Sequence, residues 1–375
     1  MKRAGIVCEF NPFHTGHARL IEAARRLTGG EVVCVMSGCF VQRGEPAVMP
    51  PRGRAAAAVA AGAGCVFELP FPWSASSAAF FAAAAVKMLS GLGCDSLVFG
   101  SESADIGYLT EKASEPRRTA AAGEPTASAL PRLMPNDVLA VEYIRAIKKT
   151  GAALEPVAIK REGSHLDEEL PEDGSFPSSA AIRAALTAGN RPTGLTPGSL
   201  AELDGATERG DAPASAERLS RAVLAFFRTA PSGNVAECAE CGGGVAGRLA
   251  SAARKATGFS SMMSAASTKK YTDARLRRAV WFAMTGTAEA DLKAAPAYAR
   301  LLAVGQEGRK ILSSDGISIP VVPRMRDLPG DPASRRQLEL ALRAEALFGL
   351  SLPVPAEAGR FIKESAEYIC RAGDK

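Results

Sequence analysis

Short β-rich runs alternate with helix-patterned stretches through the first half of this chain, and that alternation leaves few folds open. The runs are residues 5–9 (GIVCE), 31–36 (EVVCVM), 65–69 (CVFEL), 96–99 (SLVF) and 155–159 (EPVAI). Between them, residues 16–27, 53–61, 74–89 and 136–149 space their apolar side chains as helices packed on a sheet do. Strands joined by crossover helices run parallel, so the order predicts an α/β fold with a doubly wound parallel sheet. A further helix, with an N-cap at Ser178 or Ser179 and running through residues 182–186, is expected to close this domain near residue 189.

Two stretches, 104–129 and 189–213, exchange apolar periodicity for Pro, Gly, Thr and charge, and read as loops. Beyond the second, residues 215–229, 245–256, 272–284, 296–304 and 334–347 carry helical spacing, and 317–322 (ISIPVV) is the main strand signal. The expected organisation is a nucleotide-binding domain over 1–189, a linker over 190–213 and a mostly α-helical domain over 214–375.

With 375 residues and 47% hydrophobic content, the chain has enough apolar surface for a large core without staples. Cys8, Cys34 and Cys65 lie inside strand-like apolar runs, which suits reduced core thiols. No apolar run is long enough to span a bilayer, and the start (MKRAGIVC) lacks a secretory apolar region, so a cytoplasmic location is expected. The net charge of +5 is too small to identify a nucleic-acid partner by itself. Cys238 and Cys241 form a single CxxC without the second pair a zinc ribbon requires, and no metal site is expected.

The sharpest chemical signal is His14-Thr15-Gly16-His17, which follows the first strand and opens the first helix. In an open α/β sheet the ligand crevice lies beyond the carboxyl ends of the strands, where a helix N-terminus offers free N–H groups and partial positive charge to phosphate. Two imidazoles three residues apart around a glycine can face one triphosphate, and two of only three histidines fall here. The other course is that both simply cap or pack at the helix start. Ser178, Ser179 and Arg183 form a similar group: hydroxyls and free amides at a helix start, with a guanidinium one turn on, suit a β- or γ-phosphate. An ordinary N-cap and a surface arginine is the plainer alternative.

Further segments carry a resemblance in order along the chain: 37–47 (SGCFVQRGEPA), 68–70 (ELP), 99–102 (FGSE), 135–144 (PNDVLAVEYI), 159–161 (IKR), 178–183 (SSAAIR) and 268–278 (TKKYTDARLRR). Together with residues 1–20 they resemble the tRNA(Met) cytidine acetate ligase family of the HxGH nucleotidyltransferase superfamily. The resemblance implies an ATP-dependent ligase that activates acetate as acetyl-adenylate and passes the acetyl group to the wobble cytidine of elongator tRNA(Met), giving N4-acetylcytidine. It implies His14 and His17 as catalytic residues. It further implies ATP held by Val7, Cys8, Glu9, Phe10, Asn11, Pro12, Phe13, His14, Thr15, Gly16, His17, Ala18, Arg19 and Leu20, with Gly100, Asn136 and Arg161 at later strand ends and helix starts. Mg2+ is expected as companion of the triphosphate. Cys39 stands where the family usually has asparagine, and residues 49–52 (MPPR) replace an expected acid and lysine, so no binding role is carried over to that loop.

Lys269, Lys270, Tyr271, Arg275, Arg277 and Arg278 place five cations and an aromatic ring at a loop leading into a helix. Cations neutralise phosphates and a tyrosine can stack on an unpaired base, so this segment is a candidate tRNA contact, with Arg300, Arg309 and Lys310 as possible extensions. The alternative activity is a small-molecule nucleotidylyltransferase of the pantetheine-phosphate or nicotinate-mononucleotide type, which would account for the first half only. A non-catalytic RNA-binding protein with a relic pocket is the third reading, and the intact histidine pair weighs against it.

Overall fold

The computed structural model describes residues 1–116, 133–161 and 178–369. The first half runs β1 (Arg3–Cys8), α1 (Thr15–Thr28), β2 (Glu31–Ser37), β3 (Phe40–Val41), β4 (Glu45–Pro46), α2 (Pro51–Ala60), β5 (Cys65–Leu69), α3 (Ala78–Gly91) and β6 (Ser96–Ser101). It continues through α4 (Ile106–Ser114), α5 (Pro135–Thr150), β7 (Glu155–Lys160), α6 (Ser179–Thr187) and α7 (Pro197–Glu208). Next come α8 (Ser220–Thr229), α9 (Ser232–Ala236), α10 (Val245–Lys255), α11 (Phe259–Ala266), α12 (Asp273–Thr285) and α13 (Glu289–Lys293). The chain then returns to the sheet through β8 (Ala299–Val304), α14 (Gln306–Leu312), β9 (Val321–Val322), α15 (Pro332–Leu350), α16 (Arg360–Lys363) and β10 (Glu367–Tyr368).

The main sheet is ordered β10-β8-β5-β2-β1-β6-β7, with β9 beside β8. All pairings among β5, β2, β1, β6 and β7 are parallel, as the alternation requires. Strand order reverses at β1, so its carboxyl end opens onto the crevice between the two diverging halves of the sheet. The strands are buried on both faces: Val33, Val35, Phe67 and Leu97 pack in one cluster, while Ile6, Cys34, Met36 and Val98 pack in the opposite one. A third cluster, built around Trp281, Phe282, Phe227 and Leu249, fills the helical half.

Three expectations are corrected. Residues 299–304 form strand β8, antiparallel to β5, instead of a helix. Arg300 is the one polar residue of this short segment, too little to declare a period, and a largely apolar run of that kind fits either state. The stretch read as a linker contains α7, capped by the Thr196 side chain and packed through Leu203 and Ala206 against Val48 and Met49. The start of the expected 104–129 loop is α4, capped by Asp105, with Leu109 and Ala113 buried on the core side; residues 117–129 lie outside the described ones. Cys8, Cys34 and Cys65 are free and buried. No described helix is long and apolar enough to cross a membrane.

Candidate active site

The HxGH spacing builds a helix cap from imidazoles. His14 is the N-cap of α1, and its Nδ1 accepts the Gly16 amide at 3.1 Å. His17, one turn in, turns its own Nδ1 back to accept the His14 amide at 3.3 Å. This is the reciprocal arrangement that Ser and Glu usually supply. Capping and phosphate chemistry are therefore compatible: with Nδ1 accepting, a neutral ring carries its proton on Nε2, and that nitrogen takes no part in the cap.

The two rings stack with centroids 3.7 Å apart and planes 28° apart. Removal from water lowers the His14 pKa to about 4, helped by the Arg161 cation. His17 is pushed well below its ordinary value by the same loss of water, then by His14 and Arg161. Both are neutral Nε2–H donors at pH 7, a state that asks for an anion before either can gain a proton. His14 Nε2 meets the Ser179 hydroxyl at 3.0 Å, bringing the start of α6 against the start of α1. Ser178 caps α6 by accepting the Ala181 amide. Arg183, one turn on, donates to the carbonyls of Asn11 and Ser179, each at 3.0 Å.

The Arg161 side chain crosses directly over Gly100: a Cβ there would lie 3.0 Å from Arg161 Cγ. Gly100 is thus the condition for Arg161 to lie across the strand ends. Asn136 donates to Glu102 at 2.6 Å, next to a carboxylate the sequence reading left without a role. Asp137, 4% exposed, accepts the amides of Glu102 and Ser103 and the Ser101 hydroxyl, fixing the end of β6 to the start of α5.

The rest of the 7–20 segment is scaffold around the pair. Phe10 and Phe13 are fully buried, edge to face at 4.8 Å, with Phe10 also 4.9 Å from the His17 ring. Phe10 takes a positive φ of 45°, a conformation costing a non-glycine residue on the order of 1 kcal/mol. Asn11 accepts the Val48 amide at 2.7 Å, and Thr15 donates to the Gly194 carbonyl. Val7 and Cys8 end the buried strand, Pro12 lies buried between Asn11 and Phe13, Ala18 and Leu20 are half-buried, and Arg19 is exposed. Glu9 accepts the Gln42 amide at 2.8 Å; burial pushes its pKa up against the pull of that amide.

Arg54, missed in the sequence, holds this floor together. It is 1% exposed and donates to the carbonyls of Glu9, Ser37, Gly38 and Met49, the ends of two strands and the entry to α2. Burial lowers its pKa to about 10, still cationic at neutral pH. The available signal was an arginine followed by an all-apolar stretch (AAAAVA), a helix with no wet face to receive it.

The basic segment divides. Lys269 and Lys270 are exposed, Arg275 and Arg277 half-buried. Tyr271 is 6% exposed and its hydroxyl donates to the Gly243 carbonyl, so its ring is a packed wall and not a platform for a base. Arg278 is buried in an ion pair with Glu240 at 2.8 Å. Arg300 is not a surface extension: it pairs with Glu68 at 3.0 Å and donates to the carbonyls of Phe361 and Ile362. Arg309 stacks on Tyr368, and Lys310 pairs with Glu307. Burial raises the Cys241 pKa to about 12, and its thiol faces the Ala279 carbonyl.

Comparison with known proteins agrees along the whole length. The family model described as HIGH Nucleotidyl Transferase matches residues 1–359. The tRNA(Met) cytidine acetate ligase of Syntrophotalea carbinolica is 32% identical, covering 94% of this chain and 95% of the relative. The protein of the same name from Acetivibrio thermocellus is 30% identical over 95% of this chain and 96% of its own. Among solved structures, apo Thermotoga maritima TmcAL matches with a TM-score of 0.89 and 27% identity, over 99% of this chain and 100% of that one. The same protein bound with alpha-thio ATP gives 0.86 and 26%, over 98% and 100%.

Proposed function

The chain belongs to the HIGH nucleotidyl transferase family and, within it, to the tRNA(Met) cytidine acetate ligases, and from that premise we propose a two-step reaction in one crevice. First, a carboxylate oxygen of acetate attacks the α-phosphorus of ATP. An O–P bond forms, the bond to the β-phosphate oxygen breaks, and pyrophosphate leaves acetyl-adenylate behind. Second, N4 of the wobble cytidine of elongator tRNA(Met) attacks the acetyl carbon. The bond to AMP breaks, N4 loses a proton, and N4-acetylcytidine results.

The observation that carries this reading is the stacked neutral histidine pair at the start of α1, with Arg161 beside it and the α6 start opposite. Donors aimed where negative charge gathers on the α-phosphate and the leaving pyrophosphate lower the barrier to the first step, and the rigid cap needs no reorganisation. Ser179 and Arg183 are assigned to the outer phosphates, Gly100, Asn136 and Arg161 to the rest of the nucleotide. Among the described residues no three His, Cys, Asp or Glu side chains gather as a metal cage. Mg2+, where bound, would accompany the triphosphate and offset its charge.

In the proposed division of labour, residues 1–189 hold ATP and 214–375 carry the RNA contact, with β8 returning from the second part into the sheet of the first. Lys269, Lys270, Arg275 and Arg277 remain as candidate tRNA cations. Relatives matching over nearly the full length support the acetate ligase reading over the small-molecule nucleotidylyltransferase, which leaves the helical half without a task.

The test incubates the protein with ATP and labelled acetate, with and without tRNA. Acetyl-adenylate and pyrophosphate are expected without RNA, and labelled N4-acetylcytidine in digests with it. Adenylyl transfer to a phosphorylated small molecule, with acetate inert, would overturn the proposal.

A further inference from the structure

The hairpin formed by β3 and β4 stands with one foot in each functional part. On the crevice side, the Gln42 amide donates to Glu9 and the Val48 amide just beyond β4 donates to Asn11. On the helical side, α12 grips the tip through its backbone: Trp281 Nε1 donates to the Gly44 carbonyl at 2.6 Å and Arg277 Nε to the Arg43 carbonyl at 3.1 Å. Gly44 has a φ of 73°, and a Cβ there would lie 2.7 Å from the Arg278 amide nitrogen, so the tip is pressed onto the helix as far as glycine permits. The Glu45 carboxylate lies between Arg183 of α6 at 3.8 Å and Arg277 of α12 at 3.7 Å.

Every device that immobilises the tip uses its backbone or Glu45, and the Arg43 side chain is left over. It is exposed, and among the described residues it has neither a hydrogen-bond nor an ion-pair partner. Its own carbonyl is held by α12 and the amide of its neighbour Gln42 by Glu9, so the residue sits between that helix and the crevice loop. A cation on a fixed backbone binds phosphate with little ordering cost beyond its own side chain.

Resting on the acetate ligase reading above, we propose that Arg43 docks an RNA backbone phosphate beside the cytidine being acetylated, guiding that base from the cations leading into α12 toward the adenylate. Lys269 and Lys270 lead into α12, α12 holds the hairpin tip, and the hairpin holds the Glu9–Asn11 loop before the histidine pair; along that series Arg43 neutralises the phosphate at the tip. The role is positional. It belongs to the second half-reaction, not to acetate activation.

The experiment compares Arg43→Ala and Arg43→Lys with the unaltered protein, since truncating this side chain leaves the carbonyl contacts of the tip in place. Acetate-dependent ATP–pyrophosphate exchange without RNA is expected to stay within about twofold. For tRNA acetylation, Arg43→Ala should lower kcat/KM by roughly tenfold, with the slope of log affinity against log salt shallower by about 0.7–0.9. Arg43→Lys should recover most of it, because a phosphate accepts a point charge. Unchanged tRNA kinetics in Arg43→Ala would make Arg43 an ordinary solvated cation, and equal loss in both half-reactions would make it a nucleotide-crevice residue; either result overturns the proposal. If the unaltered protein forms acetyl-adenylate but never acetylates RNA, the functional reading itself has failed.

Discussion

His14 Nε2 and Ser179 Oγ lie 3.0 Å apart although 165 residues of chain separate them. The contact sets the starts of α1 and α6 face to face, so the partial positive charge of two helix ends converges on one point. Arg183 closes the arrangement by holding the carbonyl of Asn11, in the loop that precedes the histidines. Two motifs far apart in sequence are one anion-ready constellation.

Ser179→Ala should therefore slow acetyl-adenylate formation by about tenfold, the worth of one orienting hydrogen bond at ~1.4 kcal/mol. His17→Ala removes a donor aimed at the reacting phosphate and should cost about 10²–10³-fold with folding retained. Pyrophosphate release measured for both variants checks this. Near-normal rates in His17→Ala would remove the histidine pair from the mechanism.

The low histidine pKa values also predict an acid-sensitive fold. Folded His14 stays neutral down to about 4, whereas an unfolded histidine takes up its proton near ~6.5. Between those values the unfolded chain binds more protons, so stability is full above ~6.5 and falls as pH drops toward 4. His14 accounts for about 3 kcal/mol of that loss, and His17 adds in the same direction. Urea midpoints at pH 7 and pH 4.5 should move further for the unaltered protein than for His14→Gln; equal movement would assign the acid sensitivity to other groups.

Burial of Tyr271 separates stability from RNA contact on one segment. Tyr271→Phe removes the hydrogen bond to the Gly243 carbonyl and should cost about 1 kcal/mol in unfolding free energy, with tRNA affinity unchanged. Lys269→Glu with Lys270→Glu should do the reverse, weakening tRNA binding and flattening its salt dependence. A filter-binding titration over a salt series distinguishes the two, and a large affinity loss in Tyr271→Phe would restore the ring as a base platform.

Glu68 and Arg300 tie the first half to the returning strand β8 through a buried ion pair. Removing one member of such a pair leaves the other charge unmatched, so Glu68→Ala should destabilise by about 3–5 kcal/mol. Replacing both by methionine should recover part of that loss. Thermal unfolding of the single and double variants tests it; a single-variant loss below ~1 kcal/mol would mean the pair is solvated.

Much of the architecture was readable because it is set locally. The β-rich runs and the helices between them declare their period within a few residues and point to a doubly wound parallel sheet, whereas the β5-β2-β1-β6-β7 order came from the structure. The HxGH spacing is likewise local, since an N-cap and the residue three beyond it face each other in any helix start. That segment 299–304 is a strand was not readable, because a short run with Arg300 as its single polar residue satisfies either period and its partner β5 lies more than two hundred residues earlier.

The sequence by itself determined the five parallel strands of the first half and the crossover helices between them, where the histidine pair must sit, and that the pair opens a helix at a strand end. Only the tertiary structure decided which cations meet water. Arg54, Arg278 and Arg300 read like surface charges until the distant carbonyls and carboxylates that satisfy them are brought close, whereas Lys269, Lys270 and Arg43 keep their exposure. A charge is placed by the free energy of its partners, and partners far along the chain meet only when the core folds.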